Sequence, residues 1–117
     1  MNTSGWEIID FKTIPGTPCP CGTARRGYLE TEDFPGSLHV TTIEQSAKLH
    51  YHKFHQEVYY ILEAMPGSKM QLDDEVVEIK PGMSILIRAG TRHRAIGLMQ
   101  VLILSLPKFD PEDEWFD

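Results

Sequence analysis

His50 and His52 are separated by one residue, Glu57 lies shortly beyond them, and His93 stands just past Gly90. Three imidazoles and a carboxylate can hold a divalent transition metal. A mixed nitrogen and oxygen set suits Fe, Mn, Ni, Cu or Zn and not Ca or Mg. The spacing favours shared use. Alternate side chains of an extended strand point to the same face, so His50 and His52 can reach one ion while Tyr51 points away. Glu57 opens the apolar run Val58-Tyr59-Tyr60-Ile61-Leu62 and offers an oxygen ligand. His93 comes from a third segment, after the turn Arg88-Ala89-Gly90-Thr91-Arg92. On an octahedral ion four such ligands leave two positions open, which catalysis needs and a closed structural site lacks.

Neighbouring residues divide between site and scaffold. Tyr59 follows Glu57 by two, so it shares the inward face, either as the catalytic positioning group or as a packing aromatic. Tyr60 then faces outward. His39 reads as a satisfied structural histidine, and His55 as a residue near the mouth or in solvent. The run Cys19-Pro20-Cys21-Gly22 has no zinc-knuckle spacing, and a disulfide across so tight a ring would be strained. It reads as a loop with buried thiols that could lie across the mouth of the site. Arg25 and Arg26 read as a solvated pair, and either one pointing inward would favour an anionic substrate. By alternation from His93, Arg92 and Arg94 point away from the metal.

The elements that must position these groups read as strands and turns. Turn formers recur at Pro15-Gly16, Pro18 to Gly22, Pro35-Gly36, Pro66-Gly67, Asp73-Asp74, Pro81-Gly82 and Gly90. Between them the strand readings are Ser37 to Ile43, Lys48 to His52, Val58 to Leu62, Lys69 to Leu72, Val76 to Ile79, Ser84 to Ile87 and Leu98 to Leu106. The last is apolar almost throughout and should be buried on both faces, or nearly so. Lys69 to Leu72 and Glu75 to Ile79 form a hairpin around Asp73-Asp74. Trp6 to Phe11 reads as an outer strand, and the tail from Pro107 as an extended segment over the outside, held by Phe109, Trp115 and Phe116. No helical period or internal repeat is found, so the pattern points to an all-β sandwich or barrel.

The whole chain bounds the rest. Its 117 residues, 41% hydrophobic and 24% charged, suit one globular domain without disulfide stapling. A formal charge of −6 argues against a nucleic-acid surface. No apolar run reaches bilayer-spanning length, and the stretch Met1 to Glu7 lacks a basic and an apolar leader region. The expected location is cytoplasmic, with no membrane partner. The two cysteines do not make a secreted disulfide framework.

These motifs together resemble the cupin superfamily. Its first motif, G-x5-H-x-H-x3-4-E-x6-G, is carried here by His50, His52 and Glu57, and its second, G-x5-P-x-G-x2-H-x3-N, by Gly82, Gly90 and His93. The short hairpin between them is similar to that of small bacterial single-domain cupins, and the resemblance spans roughly residues 37 to 114. Glu44, Ala64, Arg88 and Gly97 depart from the motifs at turn or scaffold positions, not at ligands. The resemblance implies an all-β, double-stranded β-helix (jelly-roll) barrel with a metal held inside by three histidines and a glutamate. Fe, Mn, Ni, Zn, Co and Cu all occur in such sites. It also implies pairing through outer strands, hence a homodimer. Residues 1–36 are expected to pack on the barrel as N-terminal strands and loop, residues 37–106 to form it, and residues 107–117 to be an acidic tail.

The family hosts many activities, so function must come from the site. The leading expectation is a metal-dependent enzyme on a small organic molecule, with oxygen-dependent chemistry at Fe(II) first. A non-catalytic module that binds a small ligand or metal, or acts as a sensor, is the second, and an isomerase or epimerase the third.

Overall fold

A computed structural model describes residues 5–117; residues 1–4, where the absence of a leader was read, lie outside the described residues. Among the described residues there are strands and turns and no helix. The strands are β1 (Thr17–Cys19), β2 (Gly22–Gly27), β3 (Ser37–Ile43), β4 (Gln56–Ala64), β5 (Lys69–Leu72), β6 (Glu75–Glu78), β7 (Ser84–Ile87), β8 (His93–Ile96) and β9 (Met99–Leu106). They form two sheets in the orders β1-β2-β3-β9-β4-β7 and β6-β5-β8, with every pairing antiparallel. The chain is thus an all-β cupin-type barrel.

Period-two patterning decides which side chains meet inside. Along β3 the buried residues are Ser37, His39, Thr41 and Ile43, and along β9 they are Met99, Val101, Ile103 and Ser105. The intervening residues of both strands are half-buried, so β9 is shielded on its outer face without being fully enclosed there. Ile61, Val101, Met70, Ala95 and Ile87 join the two sheets in one apolar cluster. Ile61 and Val101 are at most 1% exposed. Burying each side chain is worth about 1.5–3 kcal/mol relative to leaving it in water.

Register then lays inward side chains in rows across the large sheet. Arg26, His39, Ile103 and Tyr59 are successive partners across β2, β3, β9 and β4. Ser37, Ser105, Glu57 and Ile87 form the next row. Cross-strand partners share a face, so Arg26 and His39 point the same way as Tyr59 and Glu57. A bulge between Ile61 and Glu63 shifts the β4–β9 register just past the site.

The sequence reading includes no strand at β1, β2 or β8, and three of the segments it does describe differ in the structure. Trp6 to Phe11 is not an outer strand; it is irregular, with Trp6 and Ile8 largely exposed, and it pairs with no strand of either sheet. Lys48 to His52 is not a full strand. Only His50 and Tyr51 pair, with His93 and Trp115 respectively, because the two residues bridge different neighbours. The tail is not simply laid over the outside: Asp113 is buried, and Lys108 Nζ donates to the carbonyls of Tyr28 and Thr31.

Candidate metal centre

Both motif halves converge through one backbone bridge. His50 N–H donates to His93 O at 3.2 Å, and His93 N–H donates to His50 O at 2.8 Å. Residues that exchange both bonds stand directly opposite with side chains on one face. Their imidazole centroids are 4.4 Å apart. Gly90 N–H donates to His52 O at 2.7 Å, which holds the second motif's turn against the first. Gly90 sits at φ 88°, a left-handed conformation that glycine adopts without steric cost. Gly97 takes φ 105° where the family motif has asparagine, the other residue that tolerates such backbone.

Each histidine is oriented by a backbone carbonyl behind it. Nδ1 of His50 lies 2.8 Å from Lys48 O, that of His52 2.6 Å from Asp113 O, and that of His93 2.9 Å from Thr91 O. A carbonyl only accepts, so each Nδ1 carries the hydrogen and each Nε2 presents a lone pair. His50, His52 and His93 form one group whose candidate ligand atoms lie within 4.8 Å of one another. Glu57 Oε1 sits 3.1 Å from His52 Nε2 and 3.4 Å from His93 Nε2. The contacts are close but poorly aligned: Glu57 Oε1 and His93 Nε2 are buried without a hydrogen-bond partner. Buried polar atoms are rarely left so, and two of them converging on one point fit a cation between them. The donor set fits a transition metal.

Electrostatics follow from burial and proximity. Burial holds the His50 imidazole down at about 4, with His93 adding to the effect. Burial pulls His52 down as well, but Glu57 beside it and the Asp113 carbonyl outweigh that and leave it raised. Burial pushes the Glu57 carboxyl up, yet His52 and His93 hold it well below the usual carboxylate range. Burial and the Glu57 charge keep the Tyr59 hydroxyl protonated far beyond its ordinary value.

The ligand group opens onto a cavity of about 110 Å³ lined also by Cys19, Cys21, Arg26, His39, Tyr59, Phe109 and Glu114. A larger cleft of about 270 Å³ near Trp6, Tyr28 and Phe34 holds none of the histidines. Tyr59 is buried on the inward face, 6.2 Å from His93 between ring centroids, while Tyr60 is exposed. The Cys19 and Cys21 thiols are free, 3.7 Å apart, at the cavity wall. Arg92 turns away to stack on Tyr51 and pair with Asp117, and Arg94 bonds Gln71.

His55 is neither at the mouth nor in solvent. It is 4% exposed, stacks on His52 at 4.1 Å, and its Nδ1 lies 3.0 Å from Asp113 Oδ2. A tail carboxylate draws it inward, which local spacing does not reveal. Sequence reasoning also missed Glu114, whose Oε1 is 4.0 Å from His50 Nε2. The only available signal was an acidic tail rich in aromatic anchors.

Comparisons with known proteins bear on the family and the fold. Over 75 residues the chain is 35% identical to a Photobacterium leiognathi protein named "Probable transcriptional regulator LumQ". The match covers 62% of this chain and 29% of that protein; against a second curated relative, from Methanocaldococcus jannaschii, it spans 61% of the relative's length. A crystal structure of a protein from Planctomyces limnophilus superposes with a TM-score of 0.94 at 31% identity, covering 98% of this chain and 100% of that one. Ectoine synthase from P. lautus shares the fold, with a TM-score of 0.79 at 19% identity over 94% of this chain and 88% of that one. The family model described as "Cupin domain" matches residues 39–100, the span that contains His50, His52, Glu57 and His93, and the chain belongs to that family.

Proposed function

We propose that the protein is a metal-dependent enzyme acting on a small organic molecule, with the ion held by His50, His52, Glu57 and His93. The observation that carries this reading is the shared orientation of the three clustered histidines, each with Nδ1 on a backbone carbonyl, with Nε2 of His52 and of His93 3.1 and 3.4 Å from the orphaned Glu57 Oε1. A bound ion supplies Lewis acidity and, where it is Fe(II), reducing equivalents for oxygen chemistry. The chain's own residues do the rest. Cavity walls formed by Ile103, Phe109 and Tyr59 limit water, and the Tyr59 hydroxyl stays protonated and able to donate to a bound molecule. Oxygen-dependent oxidation or cleavage at Fe(II) is the first reaction to assay.

Glu114 and His39 line the same cavity and offer proton-transfer groups besides Glu57, which supports isomerisation or epimerisation as the alternative chemistry. A ligand-sensing barrel is the non-catalytic alternative, favoured by the likeness to a protein named as a transcriptional regulator. A homodimer and a cytoplasmic location remain part of the proposal. Exposed Tyr60, Leu62 and Leu86 are apolar positions available to an outer-strand interface.

Elemental analysis of protein purified without an affinity tag or chelator tests the reading, beside a His50→Ala/His52→Ala control. Near-stoichiometric metal that disappears in the control supports it. Oxygen uptake with a substrate then separates the oxygenase from the isomerase, and tight ligand binding without turnover selects the sensor. No metal after anaerobic reconstitution would overturn the enzyme proposal.

A further inference from the structure

The cavity also holds a cationic side chain that takes no part in the proposed metal centre. Arg26 is on the inward face of β2, opposite His39 in register, and lines the cavity with the ligand residues. Its neighbour Arg25 points to the other face, against Val40 and Glu44. The Arg26 guanidinium carbon lies 4.6 Å from the centre of the Phe109 ring, so its face is supported by the aromatic. Its Nε is buried with no hydrogen-bond partner. A buried guanidinium N–H without an acceptor is costly unless a ligand supplies one.

Charge points to the kind of ligand. With His50 and His52 neutral as ligands of the proposed ion, Arg26, Glu57 and Glu114 are the charged side chains lining the cavity, since burial and Arg26 itself keep His39 neutral with a pKa near 4. A divalent ion balances the two carboxylates. That leaves the Arg26 charge, which one monoanion neutralises, whereas a phosphate dianion would leave an excess negative charge. The planar fork of a guanidinium matches a carboxylate edge-on.

We infer that Arg26 is a carboxylate subsite, and that the cavity takes a small organic acid with its carboxylate on Arg26 and its other end toward the histidines. This deepens the proposed function and rests on it for the end that faces the ion and for the charge balance, while the aim and unmet N–H of Arg26 stand without it. It also identifies which arginine of the Arg25-Arg26 pair faces the ligand.

The test uses ¹⁵N-labelled, zinc-loaded full-length protein and follows the Arg26 Nε–H resonance, assigned by its loss in Arg26→Lys. Acetate, propionate and butyrate are titrated against their primary amides. The expected result is that the acids shift this resonance and bind at least about tenfold more tightly than the amides, about 1.4 kcal/mol. Arg26→Gln should erase that preference and keep its zinc. A resonance unmoved by all three acids, or an unchanged acid preference in Arg26→Gln, overturns the inference. Should Arg26→Gln fail to fold, the wild-type titration decides alone. Zinc content is measured on the same samples. An acid-dependent shift without bound zinc upholds the subsite and defeats the metal reading; stoichiometric zinc with an unmoved resonance does the reverse.

Discussion

The main-chain oxygen of Asp113 lies 2.6 Å from Nδ1 of His52, a residue 61 positions earlier in the chain. The same aspartate's side chain accepts from the backbone N–H of Lys53 and of Phe54 at 2.9 Å each, and from Trp115 Nε1 at 2.8 Å. With His55 Nδ1 at 3.0 Å, its two carboxylate oxygens gather four nitrogen groups. The loop from His52 to Glu57 is therefore shaped by the tail, and one candidate metal ligand takes its tautomer from it.

Replacing Asp113 by asparagine preserves volume but exchanges one acceptor oxygen for a donor nitrogen. Two of the four partners then lose their acceptor. The expected cost is about 2–4 kcal/mol of folding stability, read from urea denaturation. Zinc affinity should fall about 10–100-fold in a chelator competition titration, because the His52 orientation loosens. A variant with parent-like stability and parent-like zinc affinity would show that the tail is merely draped over the loop.

Metal should stabilise the fold, since the ligands meet only in the native chain. At a free metal concentration about 100 times the dissociation constant the gain is about 2.7 kcal/mol. Thermal melting should rise by roughly 10 °C on adding zinc or manganese and return on adding a chelator. His50→Ala and His93→Ala should each lose most of that rise while keeping the metal-free melting point within a few degrees. A parent melting curve indifferent to every divalent transition metal tested would count against the centre.

Much of this arrangement was legible in the chain because it rests on short-range rules. Alternation placed Tyr59 inward and Tyr60 outward, and of the residues that the motif spacing selected the fold clusters His50, His52 and His93 and sets Glu57 against the last two. What was not legible depends on contacts far apart in sequence. His55 is buried because Asp113 reaches it from the tail, and Glu114 enters the cavity on the same segment. Arg26 faces the ligand groups because of its register against His39, which no local pattern fixes. Trp6 to Phe11 has a strand-like composition, but it forms no pairing with either sheet, and composition alone does not supply a partner strand.

His39 should govern part of the acid sensitivity. Its Nε2 is 2.8 Å from Ser37 Oγ, which also accepts from Phe109 N–H, so the serine hydrogen is free to be donated to a neutral ring. Burial and Arg26 on β2 hold it near 4; Glu57 on β4 opposes them, and His55 adds to the lowering. Unfolded, the residue takes its proton near 6.5. Between these values the unfolded chain binds more protons, so stability is full above about 6.5 and falls as pH drops toward 4. His39→Gln should flatten this part of the stability curve, by up to about 3 kcal/mol between pH 7 and pH 4. Parallel wild-type and variant curves from denaturant melts would remove His39 from the account.

Cys21 should be a poor nucleophile although it borders the cavity. Burial pushes its thiol up to about 12, and the Cys19 sulfur 3.7 Å away adds to the effect. At pH 8 the thiolate fraction is then negligible, whereas an ordinary thiol near 8.5 is about a quarter ionised. The greater intrinsic reactivity of a high-pKa thiolate offsets only part of this. Iodoacetamide should alkylate Cys21 in the folded protein at least about 100-fold more slowly than in the urea-unfolded chain, followed by peptide mass spectrometry. Labelling at the unfolded rate would mean that the Cys19-Pro20-Cys21 hairpin opens readily to solvent. The thiols would then be available to whatever enters the cavity, and the hairpin would be a movable part of its wall.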